Sequence, residues 1–205
     1  MKTKPAPQTL LYATTAITNR KEQNKQMHPL TPPTPPEIIS NQMYTGPGAG
    51  SLRAAAKQLR RLADSAEAKV ESLSDTLDEL SENWKGSSPE WMADAVGRYL
   101  DWLSKHSCQI WQTAHVIEDL VELYELTRQT VVPPADIAHN REEVRRLIAS
   151  NVAGVNAPEI AQLDARYQQY GARNVLAMHF YLRSTRDALS QLRPWQEPPQ
   201  IHSSG

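Results

Sequence analysis

The side chains of this chain that could do chemistry are few and scattered. His115 and Asp119 lie four apart and share one helical face, the spacing for a shared metal or proton. A di-iron helical bundle would need Glu-x-x-His on two helices and two further Glu. No Glu-x-x-His occurs in the 205 residues. Asp136-x-x-His139 is a single isolated pair, and surface or capping roles suit both pairs better. Ser107 and Cys108 beside His106 offer a nucleophile and a base. Consecutive helical residues do not face each other, however, and nothing orients the imidazole. Gly46-x-Gly48-x-Gly50 follows no strand pattern, which argues against a phosphate-cradling loop. Lys57, Arg60 and Arg61 form a small basic patch offset by acids one turn later, the pattern of a solvated face. No catalytic, cofactor-binding or metal-binding set is expected, and no small-molecule substrate is evident.

The elements that would position these residues read as long helices. Leu52, Ala55, Ala56, Leu59, Leu62, Ala63, Ala66, Val70, Leu73, Leu77 and Leu80 recur in steps of three and four up to Trp84. Such spacing makes one apolar face on a rod of some 35 residues, about 50 Å long. Acids crowd the far end of this rod (Glu67, Glu71, Asp75, Asp78, Glu79, Glu82) and oppose the helix dipole, so the rod depends on packing. Trp84-Lys85-Gly86-Ser87-Ser88-Pro89 breaks the pattern, with Gly86 suited to end one helix and Ser88 to cap the next. A second rod carries Met92, Ala95, Tyr99, Leu103, His106, Ile110, Ala114, Ile117, Val121 and Tyr124, widened by Trp91, Trp102, Trp111 and Leu120. So short a connection makes the rods antiparallel neighbours. Val131-Val132-Pro133-Pro134 stops the second rod. A shorter helix follows over about 136–151, then a turn at 151–156 where Asn156 can cap the last helix. That helix runs from about Pro158 to Leu192, with Gly171 a weak point in its middle. No strand pattern and no internal repeat occurs.

Bulk composition narrows the function classes. The net charge is −1, from 22 basic and 23 acidic residues, which gives no overall pull toward nucleic acid or anionic lipid. One cysteine cannot form an internal disulfide, and Cys108, inside a helical pattern, is expected to be a buried thiol. No apolar run is long enough to span a bilayer. The polar residues 1–30 are expected to be a disordered extension, with Met27 an alternative start. Residues 31–193 are expected to form one domain and 194–205 a proline-rich flexible tail. The stretch 31–48 is dense in Pro and Gly, so most of it is expected to run extended before turning into the first rod.

Several motifs in order carry a family resemblance. Pro35-Pro36-Glu37 is followed by Met43-Tyr44-Thr45-Gly46-Pro47-Gly48, then Trp84-x-Gly86, Thr130-Val131-Val132-Pro133 and Asn140-Arg141. Leu147-Ile148-x-x-Asn151-x-x-Gly154-x-Asn156, Ala161-x-x-Asp164-Ala165-x-Tyr167 and Ala177-Met178-x-x-Tyr181 continue the order. The pattern resembles the PPE proteins of mycobacteria over about residues 34–195. The charged first rod and the N-terminal extension depart from it. The ending through Pro194-Trp195 and Pro198-Pro199 is similar to a short PPE protein without a large C-terminal domain.

The resemblance implies an all-α, elongated bundle of about five helices. Its two long rods would complete a four-helix bundle with a PE-family helical hairpin. It also implies export in the folded state by type VII secretion, to the outside or the cell surface. Before export, a cytoplasmic secretion chaperone would bind a hydrophobic pair at the helical tip, here Leu147 and Ile148. Candidates for the PE interface are Leu52, Leu59, Leu62, Val70, Leu73, Leu77, Tyr99, Leu103 and Ile110. The physical ground is that two rods with such long apolar stripes leave a seam that one more helix of the same chain does not close. Tyr-x-x-x-Asp/Glu, the export signal of these systems, follows none of the tyrosines, so the PE partner would supply it. The alternatives are a stand-alone helical adaptor that forms homo-oligomers and a metal-bearing bundle enzyme.

Overall fold

Pro36 opens the first helix, because its fixed φ suits a first helical position and its missing N–H is not needed there. The computed structural model describes residues 34–83 and 87–199, and these form an all-α bundle. Helix α1 spans Pro36–Thr45, α2 Gly50–Asn83, α3 Ser87–Thr130, α4 Pro134–Ala149 and α5 Ala157–Ser190, with a 3-10 turn at Val152–Gly154. The expected extension over 1–30, the Met27 start and the Trp84-x-Gly86 turn lie outside the described residues.

Helix α1 corrects the expectation of an extended arm. Its ten residues contain no proline after the start, so no interior hydrogen bond is lost. Two glycines then turn the chain into α2. Gly48 takes φ 68°, where L side chains are strained. A Cβ on Gly46 would lie 2.9 Å from the Gln42 carbonyl oxygen.

Helices α2 and α3 run antiparallel. Arg53 meets Glu125 at 3.5 Å, Arg60 pairs with Glu118 two turns further along, and Ser107 Oγ donates to the Ala63 carbonyl at 3.0 Å. The only buried residues of α2 are Ala56, Ala63 and Ala66. Small side chains along this seam let the two helices approach closely. Helix α5 runs antiparallel along another flank of α3, with Tyr181 edge-on to Tyr124 at 6.5 Å. Helix α4 pairs antiparallel with the first half of α5, where Asn140 Nδ2 donates to the Leu163 carbonyl at 3.0 Å.

Helix α1 packs on α4 and α5 beside the end of α3. A buried polar knot holds this convergence. Asn174 Oδ1 accepts the Val132 N–H at 2.8 Å, and Asn174 Nδ2 donates to the Pro36 carbonyl at 3.0 Å. Ser40 Oγ donates to the Val132 carbonyl at 2.6 Å. Ile39, Val131 and Ile137 are fully buried around it. The Val131–Pro133 stop thus delivers backbone groups that the end of α3 leaves unpaired to side chains remote in sequence.

Three further expectations change. Asn156 makes no side-chain cap; its Nδ2 donates back to the Leu147 carbonyl at 3.0 Å and ties the tip together. Cys108 is exposed, because its neighbour Ser107 takes the place on the α2 seam. The tail is not loose where it is described. Gln109 Nε2 donates to the carbonyls of Arg193 and Pro194 at 3.0 and 2.9 Å, and Trp102 Nε1 donates to the Gln196 carbonyl at 3.2 Å.

Candidate functional site: an open leucine face and an apolar tip

The face of α2 that remains open is set by which residues meet α3. Alanines fill the α2–α3 seam, and the leucines stand on the adjacent stripe, one or three or four residues away. Leu62 and Leu73 remain 44% and 42% exposed, and Leu80 is exposed to a similar degree. Leu52, Leu59, Val70 and Leu77 are half-buried between the seam and this open stripe. On α3, Tyr99 and Leu103 are half-buried as well. Of the nine candidate interface residues, eight therefore keep accessible surface. Ile110 does not: at 4% exposure it is core of this chain and has no surface for a second one. It lies one helical turn from Ser107 and Ala114, which are also buried.

Polar chemistry frames this face on α2 and α3. Arg60 Nε donates to Glu118 Oε1 at 2.6 Å, and its guanidinium lies 5.3 Å from the Trp111 ring centroid. Trp111 stacks on His115 at 5.7 Å. The Arg60 hydrogen bond, outweighing partial burial, holds the Glu118 carboxyl below the ordinary carboxylate range. Trp111 is thus an exposed aromatic with cation–π company. Trp91, more exposed still, has no ring or cation partner of this kind among the described residues.

The tip between α4 and α5 presents a different set from the expected pair. Leu147 is 6% exposed and packs inside, whereas Ile148 is 58% exposed. Helical geometry explains the split, because consecutive residues point about 100° apart. Val152 and Val155, on the turn that follows, are more exposed than Ile148. The turn holds Ala153 at φ 54° and Gly154 at φ 77°, two left-handed residues in succession. The apolar tip is therefore Ile148, Val152 and Val155.

The family-motif residues at the start of α1 serve architecture. Pro36 is buried and offers its carbonyl to Asn174. Glu37 Oε2 accepts the Tyr167 hydroxyl at 2.9 Å. Arg141 stacks over the Tyr167 ring at 4.1 Å and bonds Asp164 Oδ1 at 3.0 Å and Asn140 Oδ1 at 2.9 Å. Burial first, then the Glu37 carboxylate, pushes the Tyr167 phenol above its ordinary value. Pro35 is exposed, and Trp84 and Gly86 lie outside the described residues.

The residues weighed for chemistry stay apart or on the surface. His115, Asp119, Asp136 and His139 are all exposed. Among the described residues no three His, Cys, Asp or Glu side chains gather as a metal would require. A shallow groove of about 390 Å³ between α4 and α5 is lined by Asp136, His139, Glu143, Glu159, Arg166 and Tyr170 among others. It is open and polar, with no buried nucleophile. No described helix is long and apolar enough to cross a membrane.

Sequence reasoning missed Asn174, Ser40 and the exposed pair Leu176 and Phe180 on α5. Asn174 and Ser40 interrupt no apolar period, so only their partners reveal them.

The sequence pattern of the PPE family matches residues 31–193. The uncharacterized PPE family protein PPE59 of Mycobacterium tuberculosis is 61% identical over 179 residues, spanning 87% of this chain and 99% of that protein. PPE family protein PPE57 of Mycobacterium tuberculosis is likewise 61% identical over 179 residues, spanning 87% of this chain and 100% of that protein. The uncharacterized PPE58 of the same organism is 70% identical over 120 residues, 58% of this chain and 52% of that protein.

Proposed function

This chain belongs to the PPE family, and from that premise we propose that it works as one half of a heterodimer with a PE-family helical hairpin. The pair is exported folded by type VII secretion, to the outside or the cell surface. In the cytoplasm a secretion chaperone holds it at the tip. The observation that carries the pairing is the division of labour on α2. Its alanines are spent on α3, and Leu62, Leu73 and Leu80 are left on an open stripe. A two-helix partner laid along that stripe would close a four-helix bundle and remove the leucines from water. Ile148, Val152 and Val155 support the chaperone contact, since three exposed aliphatic residues at the end of α4 and on the turn after it suit a hydrophobic pocket.

Co-expression tests the pairing. With a PE hairpin the chain is expected as a soluble 1:1 complex; alone it is expected to aggregate. A stable, compact monomer that ignores such hairpins refutes the reading. A discrete homodimer that buries the same leucines supports the adaptor alternative instead.

A further inference from the structure

The described tail makes contacts of a recognisable chemical kind. Two side chains of α3 donate hydrogen bonds to three tail carbonyls: Gln109 to Arg193 and Pro194, and Trp102 to Gln196. Between the donors lies a ring ladder. Trp102 stacks on His106 at 4.8 Å and 17°, and Trp195 leans on His106 at 5.1 Å. The register shows how far the tail is stretched. From Gln109 to Trp102 α3 recedes seven residues, about 10 Å at 1.5 Å each, while the tail advances only two or three residues, about 3.1 Å each in a polyproline-type strand. The segment is therefore close to fully extended. It carries Pro194, and Pro198 and Pro199 follow just beyond it; their rings restrict the unbound chain toward this shape. An indole N–H and an amide N–H reading strand carbonyls, with an aromatic floor between them, is the recognition mode of proline-rich ligands.

We infer that Trp102, His106 and Gln109 form a docking site for an extended proline-rich strand, filled in cis by the chain's own Arg193–Gln196. The strap prolongs the line of α5 along α3 as far as Trp102. Carbonyl readout makes the site tolerant of side-chain identity in the strand. The demand falls on extension, supplied by proline, and on one aromatic placed over His106. None of these contacts involves the open leucine stripe of α2; of the candidate interface residues only Tyr99, with its ring 5.6 Å from that of Trp102, touches the site.

Limited chymotrypsin digestion of the full chain tests it, in whichever soluble state the chain is purified. Release of residues 196–205 by cleavage after Trp195 is followed by mass spectrometry. A synthetic peptide of residues 190–205 gives the undocked rate. Cleavage is expected at least tenfold slower in the protein than in the peptide. Trp102→Phe keeps the ring and loses the donor, and Gln109→Ala loses the other donor; each is expected to speed cleavage at least threefold. Pro194→Gly, which frees the strand without touching α3, is expected to act in the same direction. Trp91→Phe, on an exposed indole elsewhere on α3, controls for general loosening and should leave the rate unchanged. Cleavage in the wild-type chain as fast as in the peptide overturns the docking. Slow cleavage that neither donor variant changes overturns the carbonyl readout, and indifference to Pro194→Gly overturns the proline-strand class.

Discussion

Leu73→Asp separates a partner face from an in-chain core position. Leu73 is 42% exposed, so a little under half of its burial is still available to a second chain. Fully burying a leucine is worth about 1.5–3 kcal/mol, which leaves about 0.6–1.3 kcal/mol for the partner to gain. Truncation by Leu73→Ala should then weaken pairing about three- to ninefold, since 1.4 kcal/mol is tenfold. Leu73→Asp also places a carboxylate in a closing apolar seam, at a cost of several kcal/mol, so the loss should exceed about a hundredfold. In the unpaired chain the same carboxylate reaches water, and the effect on folding should stay near about 1 kcal/mol. The assay is competitive co-expression. Wild-type and variant chains compete for a limiting tagged PE hairpin, and their ratio in the purified complex gives relative affinity without handling the lone chain. Asp75→Ala, two residues on and therefore on another face, is the control. A Leu73→Asp chain captured within twofold of wild type would refute a partner on this stripe. A variant that cannot fold at all would mean that Leu73 belongs to the core.

Other expected outcomes follow from particular contacts. Ile148→Arg should abolish chaperone capture in a pull-down while leaving PE pairing unchanged, whereas Leu147→Ala should destabilise the complex by about 2–5 kcal/mol, as a core truncation does, and lower its thermal midpoint. Asn174→Ala strands the Val132 N–H and the Pro36 carbonyl in the interior; at about 1–3 kcal/mol for each unsatisfied group it should cost about 2–6 kcal/mol in chemical denaturation. Ser40→Ala, which removes one bond to the same Val132, should cost less and add less than fully to it. Burial depresses the His106 pKa below its ordinary 6.5, and among the described residues His106 Nδ1 is buried without a hydrogen-bond partner. The unfolded chain then takes the proton first, and the contribution of His106 is present above about pH 6.5 and lost as pH falls through its lower folded value. Protection of Trp195 from chymotrypsin at pH 7 and pH 5 should show the loss, and His106→Phe should flatten it.

Local order was legible in the amino-acid sequence, and for local reasons. Steps of three and four define one face of each rod without reference to anything else. Val131-Val132-Pro133 and the 151–156 turn stop helices through their own backbone chemistry. The opening Pro35-Pro36-Glu37 and the motifs behind it sufficed for the family. What periodicity leaves open is which of two adjacent stripes on a helix meets a neighbour. Ala56, Ala63 and Ala66 lie beside Leu59, Leu62 and Leu73, and only the approach of α3, braced by Ser107 on the Ala63 carbonyl, chose the alanines for the seam. The same choice took Ile110 and Leu147 inside and left Cys108, Ile148 and the leucine stripe outside. Asn174 and the Trp102–Gln109 strap site are products of tertiary structure too. Their partners, Pro36 and Val132 for one and Arg193 to Gln196 for the other, lie dozens of residues away, and such meetings are decided by how rods cross rather than by the pattern along any one of them.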